Sequence, residues 1–203
     1  VGPTASFTHS LDPLLLAALC AGLGEELPGF VCPEGLPVQV RLRVRTDEDE
    51  LFAVRTLYLG LDPTQAPNAI PELDGLQVQV DGEWVDVTDD GPAEVLRDEE
   101  NELRALVDED QAQSYELVGL DGEVTSARER LTLSWFVESG DTWAERTGYI
   151  EGVAPIEVLN ENRWIPARED DYPEDSSELI LVLRDDREGT SWWRHTFDLV
   201  EAP

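Results

Sequence analysis

The sequence predicts a mainly β fold: a β-sandwich preceded by a short N-terminal helix and a β-hairpin. Three observations carry this. Apolar and polar residues alternate over 38–45, 76–80 and 83–87. Asp-Gly pairs at 81–82 and 121–122 punctuate such runs as tight turns do. Helical periodicity is scarce beyond residue 23, and many short strands with Gly, Pro and Asp turns read as a sandwich.

The elements follow in order. Residues 1–10 read as an extended lead. Residues 11–23 read as an apolar helix that opens at Asp12-Pro13, where proline suits the first turn. Gly24, Pro28, Gly29, Pro33, Gly35 and Pro37 end it, so 1–37 is one helix with its connector. Cys20 and Cys32 are the only cysteines. In an exported chain they read as a disulfide, worth about 3 kcal/mol if unstrained, with two buried thiols as the alternative.

The segment 38–61 reads as a hairpin. Val38, Val40, Leu42 and Val44 face one way; Gln39, Arg41, Arg43 and Arg45 face the other. It is either the end of a preceding sandwich, the reading preferred here, or two strands of the main one. Residues 62–75 are a Pro-rich linker, and 76–203 form the main sandwich. Within it, 76–80 and 83–87 pair as a hairpin and 88–101 is an acidic loop. Strands are expected at 102–107, 114–119, 129–138, 146–150, 156–159 and 194–200. Leu179–Leu183 is apolar at every position and reads as a central strand buried on both faces.

Composition then bounds function. The chain has 203 residues, 45 acids against 14 basic residues, and a net charge of −31. Every base other than two histidines is Arg. Such a surface repels polyanions, which excludes nucleic-acid partners and disfavours anionic membranes. No stretch is long and apolar enough for a transmembrane span. A hydrophobic content of 41% with six Trp argues for a folded body rather than an acidic tail. The absence of Met reads as a processed chain, exported to the periplasm, the outer-membrane surface or the exterior after removal of a signal.

A family resemblance adds to this. It rests on Asn68-Ala69-Ile70-Pro71, Glu102–Asp108, Glu129–Phe136 with its Ser134-Trp135 pair, and Leu181–Gly189 followed by Trp192. Over about 68–200 the chain resembles the immunoglobulin-like modules of acidic, predicted cell-envelope lipoproteins from myxobacteria and relatives. The resemblance implies an immunoglobulin-like sandwich with the Trp135 indole in the core. It also implies a tight turn at Arg184–Gly189 before the last strand. No cysteine lies in this region, so the inter-sheet disulfide of antibody domains is absent.

Chemistry is sparsely encoded. No Ser sits in a nucleophile elbow, and His195 alternates with Phe197 and Leu199 as a packed strand residue would. The chain is therefore read as non-enzymatic. No resident cofactor is implied, except that calcium favours oxygen-rich loops. Asp108, Asp110, Asp170, Asp171 and Asp175 are the candidate ligands, provided the sandwich gathers their loops at one end. Trp192 and Trp193 are adjacent, so one faces the core and the other solvent. Trp84 lies on the face opposite Val78, Val80 and Val85. Trp84 and Trp193 are the candidate partner-binding aromatics. Leu14, Leu15, Leu16 and Leu19 are the candidate docking face of the helix. The expected role is a structural or adhesive subunit of a surface assembly whose partners are other envelope proteins. The alternative is a calcium- or carbohydrate-binding module.

Overall fold

A computed structural model describes residues 36–45, 50–59, 68–88, 93–118 and 123–201. The expected N-terminal helix, the Cys20–Cys32 pair and the Leu14, Leu15, Leu16 and Leu19 face lie outside the described residues. The chain divides into two compact units. One comprises Val1–Pro67 with Glu116–Ala127, and the other Asn68–Tyr115 with Arg128–Pro203.

In the first unit, β1 (Leu36–Arg45) and β2 (Glu50–Leu59) pair antiparallel from Leu36 opposite Leu59 to Arg45 opposite Glu50. That register places Val38 opposite Leu57 and Val44 opposite Leu51.

The second unit is mainly β and sandwich-like, with two five-stranded sheets. The first sheet runs β10 (Asp141–Thr142), β12 (Glu161–Ile165), β6 (Asn101–Leu106), β3 (Gly75–Val80), β4 (Glu83–Asp86). The second runs β11 (Arg146–Tyr149), β9 (Leu131–Val137), β13 (Ser176–Asp185), β14 (Thr190–Val200), β5 (Glu94–Leu96). A further two-stranded sheet, β7 (Ser114–Val118) with β8 (Val124–Arg128), belongs for most of its residues to the first unit. Alternate residues of each large sheet enter one buried cluster: Leu76, Leu103, Ala105 and Trp164 from the first, and Leu133, Trp135, Leu181 and Phe197 from the second. The Trp164 and Phe197 rings meet edge to face at 5.4 Å, one from each sheet, so the sheets share this core.

Local chemistry explains the elements. The 81–82 turn joins β3 and β4 with Val80 directly opposite Glu83, and both turn residues have positive φ (52° and 83°), the hairpin conformation that Asp-Gly supplies. The Arg184–Gly189 turn is closed by Asp185. Its carboxylate accepts the backbone N–H groups of Arg187 at 2.9 Å and Gly189 at 2.6 Å. Trp135 is buried, and its indole donates to Thr147 Oγ1 at 3.0 Å.

Several expectations are corrected. Residues 156–159 are not a strand but part of a short helix, α1 (Ile156–Asn160). Pro155 precedes it with φ −70°, and Ile156 and Leu159, three apart, turn to the core. A short apolar run carries too few residues to separate the two periods. The acidic segment 88–101 is not wholly loop: β5 pairs parallel with β14, burying Val95. Arg97, also buried, donates to the carbonyls of Ala167, Tyr172 and Glu174 and so ties that loop to the sheet. Strand 179–183 is central, but only Leu179, Leu181 and Leu183 are fully buried; Ile180 and Val182 lie half-exposed on the outer face. Strands β8 and β12, which carry more polar residues, were not legible as strands.

Candidate functional site

The outer face of the first sheet carries exposed aromatic and charged groups around a depression. Strand pairing sets it. Arg104 on β6 lies between Gln77 on β3 and Glu161 on β12, and Glu102 lies beside Arg163. Arg104 bonds Glu161 at 2.8 Å and places its guanidinium 4.0 Å from the Trp84 ring centroid. Arg163 bonds Glu102 at 2.8 Å and Glu100 at 3.2 Å, and stands 4.4 Å over Trp143. Both arginines are thus neutralised by glutamates and stacked on tryptophans.

Trp143 is held by its backbone. Its N–H donates to the Arg163 carbonyl at 2.9 Å. The buried Asn162 amide bridges both backbone groups of Ala144, at 3.2 Å and 2.8 Å. Gly140, with φ 77°, begins this segment, and any side chain there would collide with the Ile165 carbonyl. The indole is nevertheless 73% exposed. Beside it lies a depression of about 370 Å³, walled by Trp143, Arg163, Thr147, Glu157 and Val158 and floored by the sheet. An indole face next to carboxylates and a guanidinium can stack on a flat apolar surface while hydrogen-bonding polar groups around it.

A second polar group is buried. Glu129 precedes β9 and is 0% exposed. It accepts Gln113 N–H at 2.9 Å and Arg187 Nη1 at 3.2 Å. Burial raises its pKa above the ordinary 4.5, and the Asp185 and Asp186 charges push the same way; the Gln113 bond and Arg187 oppose them. Arg187 also lies 5.0 Å from the Tyr115 ring. The Arg187 bond ties the Arg184–Gly189 turn to the entry of β9, and the Gln113 bond ties that entry to the residue before β7, so the cluster reads as structural.

The residues singled out from sequence are distributed as follows. Trp84 lies on the outer face, as its turn geometry required, but half-buried under Arg104. Trp193 packs against the core and stacks on His195 at 5.7 Å. The exposed member of that pair is Trp192, which corrects the choice of Trp193, because odd positions of β14 share the inward parity of Phe197 and Leu199. The carboxylates proposed for calcium do not converge. Asp108 and Asp110 follow the end of β6. Asp170 and Asp171 lie in the loop fastened near its start, where Asp98 N–H meets the Pro166 carbonyl and Arg168 pairs with Asp98. Asp175 closes that loop, its carbonyl accepting Leu199 N–H. A six-residue strand, roughly 20 Å long, separates the two groups. Among the described residues no three His, Cys, Asp or Glu side chains gather as metal ligands would.

Sequence reasoning missed Trp143, Arg163 and Glu129. The Glu100-x-Glu102 and Arg163 spacing carries no signal until β6 and β12 are known to pair. Trp143 sits among turn residues where no periodicity assigns a face. No family model, curated protein or solved structure matches the chain.

Proposed function

We propose that the chain is a non-enzymatic, exported cell-envelope protein built on an immunoglobulin-like sandwich, and that it serves as a structural or adhesive subunit of a surface assembly. The observation that carries the adhesive part is the exposed Trp143 indole, fixed by backbone bonds beside an open depression. Large exposed aromatics held rigidly are costly to leave in water and are the residue class that dominates binding contacts. The acidic composition supports an exterior location where solubility matters, and no helix among the described residues is long and apolar enough to cross a membrane. Among the described residues the buried carboxylates Glu129 and Asp185 are both occupied by structural bonds, which supports a binding role over a hydrolytic one. The test is retention of the protein on immobilised bacterial envelope fragments. Trp143→Ala should lower retention about ten-fold, the loss of roughly one aromatic anchor; equal retention of the variant overturns the assignment.

A second reading is favoured by the depression itself. Its Trp143 platform with Thr147, Glu157 and Arg163 around it suits a neutral sugar ring. Under this reading a panel of neutral glycans quenches tryptophan emission in the parent and not in Trp143→Ala. Unchanged spectra across the panel remove it.

A further inference from the structure

The outer face of the second sheet sorts its charges along the strands. Register orders the rows. Arg184 lies between Thr132 and Thr190. Two residues along, Val182 lies between Ser134 and Trp192, with Arg146 beyond Ser134. Next, Ile180 lies between Phe136 and Arg194, and then Glu178 lies beside Thr196, with Glu138 on the same face. The first three rows hold three arginines and no acid. The row after them holds two acids and no base. Between the ends stand two open aromatics, Trp192 at 64% and Phe136 at 52% exposure. Arg194 reaches Glu178 at only 3.7 Å. Arg184 touches Ser134 Oγ at 3.4 Å, and among the described residues neither it nor Arg146 pairs with an acid.

We propose that this face is a two-fold, self-complementary interface between two copies of this chain. Its basic end, acidic end and aromatic centre match themselves when one copy is turned end for end. A two-fold axis crossing the strands at the level of Leu181 sets Arg184 of each copy over Glu178 of the other. The same operation sets Val182 over Ile180, and Trp192 over Arg194 in a cation–π contact. Sheets packed this way lie about 10 Å apart, near alignment. The charge pattern selects this occupant. A uniformly acidic partner would meet Glu178 and Glu138 with like charge, a uniformly basic one would meet the three arginines, and a nucleic acid is repelled by the net −31. Tryptophan and arginine are also the side chains that anchor interfaces. The inference stands apart from the Trp143 site, which lies on the other sheet.

Sedimentation velocity on the whole chain tests it, over about 1 to 100 µM protein, the range where a modest interface is seen. A monomer–dimer equilibrium is expected, with no larger species. It should be tighter at roughly 0.15 M salt than at 0.01 M, because screening removes the long-range repulsion between two acidic bodies. Trp192→Ala should weaken dimerisation at least about ten-fold. Arg184→Glu and Glu178→Arg should each weaken it, and the double variant should recover it. All these positions face solvent, and unchanged circular dichroism confirms that each variant is folded. A monomer under every condition, a dimer indifferent to Trp192→Ala and the charge reversals, growth beyond the dimer, or a double variant no better than either single overturns the proposal.

Discussion

The two outer sheet faces use arginine in opposite ways. On the first sheet, Arg104 and Arg163 are each paired to glutamate within 2.8 Å and laid over a tryptophan, so the face has satisfied its own charges. On the second sheet, among the described residues, Arg184 and Arg146 pair with no acid, and Trp192 and Phe136 stand open to solvent. The difference teaches that a net charge of −31 describes the whole surface and neither face. An arginine folded onto its own sheet contributes local order. An arginine left open on a flat sheet, beside an open aromatic, retains its contacts for something outside the chain.

The largest test of the comparison attacks what the faces share. Both are the backs of one core, joined where Trp164 meets Phe197. Trp164 is fully buried and donates its indole N–H to the Ser139 carbonyl at 2.8 Å. Trp164→Ala should cost about 3–5 kcal/mol, through lost burial and the cavity left behind. Denaturant unfolding measures this. A loss under about 1 kcal/mol would mean that the sheets do not depend on a common core, and the faces would then have to be treated as separate modules.

A middle-sized effect distinguishes the sheets by pH. The Glu129 cluster binds the entry of β9 to the β13–β14 turn, both in the second sheet. Burial raises the Glu129 pKa, so above pH 4.5 the folded chain holds a proton that the unfolded chain has released. Stability from this group is therefore present below pH 4.5 and lost as pH rises through the higher folded value. The groups facing it are Asp185 and Asp186, which enlarge the shift, and Arg187, which reduces it. Glu129→Gln should remove that falling component, so the variant's stability relative to the parent rises with pH across this window. Melting temperatures taken at stepped pH values check it; parallel profiles for parent and variant would mean that Glu129 ionises as an ordinary exposed acid does.

What was readable in the sequence follows from how local the cause is. The 81–82 hairpin was legible because two residues set its geometry, and Trp84's side of the sheet followed from it. The β1–β2 pairing was legible from the alternation over 38–45 and the short acidic segment that follows it. The α1 helix was not, because Pro155 and two apolar residues fit either period. Strand β5 was hidden because its three residues lie in an acidic stretch and pair parallel with a strand a hundred residues away. The candidate site was the least legible part. Arg163, Glu102 and Trp143 are unremarkable until β6 and β12 become neighbours, and the choice between Trp192 and Trp193 turns on one residue of parity.

The smallest effect separates the two uses of arginine most directly. Arg163 stacks on Trp143, so removing both should cost less than the sum of removing each. A cycle of Arg163→Gln and Trp143→Ala should return a coupling of about 0.5–1 kcal/mol, the size of an exposed cation–π contact. The matched cycle on the other sheet, Arg184→Gln with Trp192→Ala, should return about zero in the monomer, since these side chains sit on adjacent rows without stacking. Low protein concentration keeps association out of both measurements. A cycle of Arg194→Gln with Trp192→Ala, the pair that the proposed interface stacks, should acquire a coupling at a concentration where copies pair. A coupling in the monomer's second cycle equal to the first would erase the contrast: both faces would then be self-satisfied, and the open arginines would have no claim to an external partner.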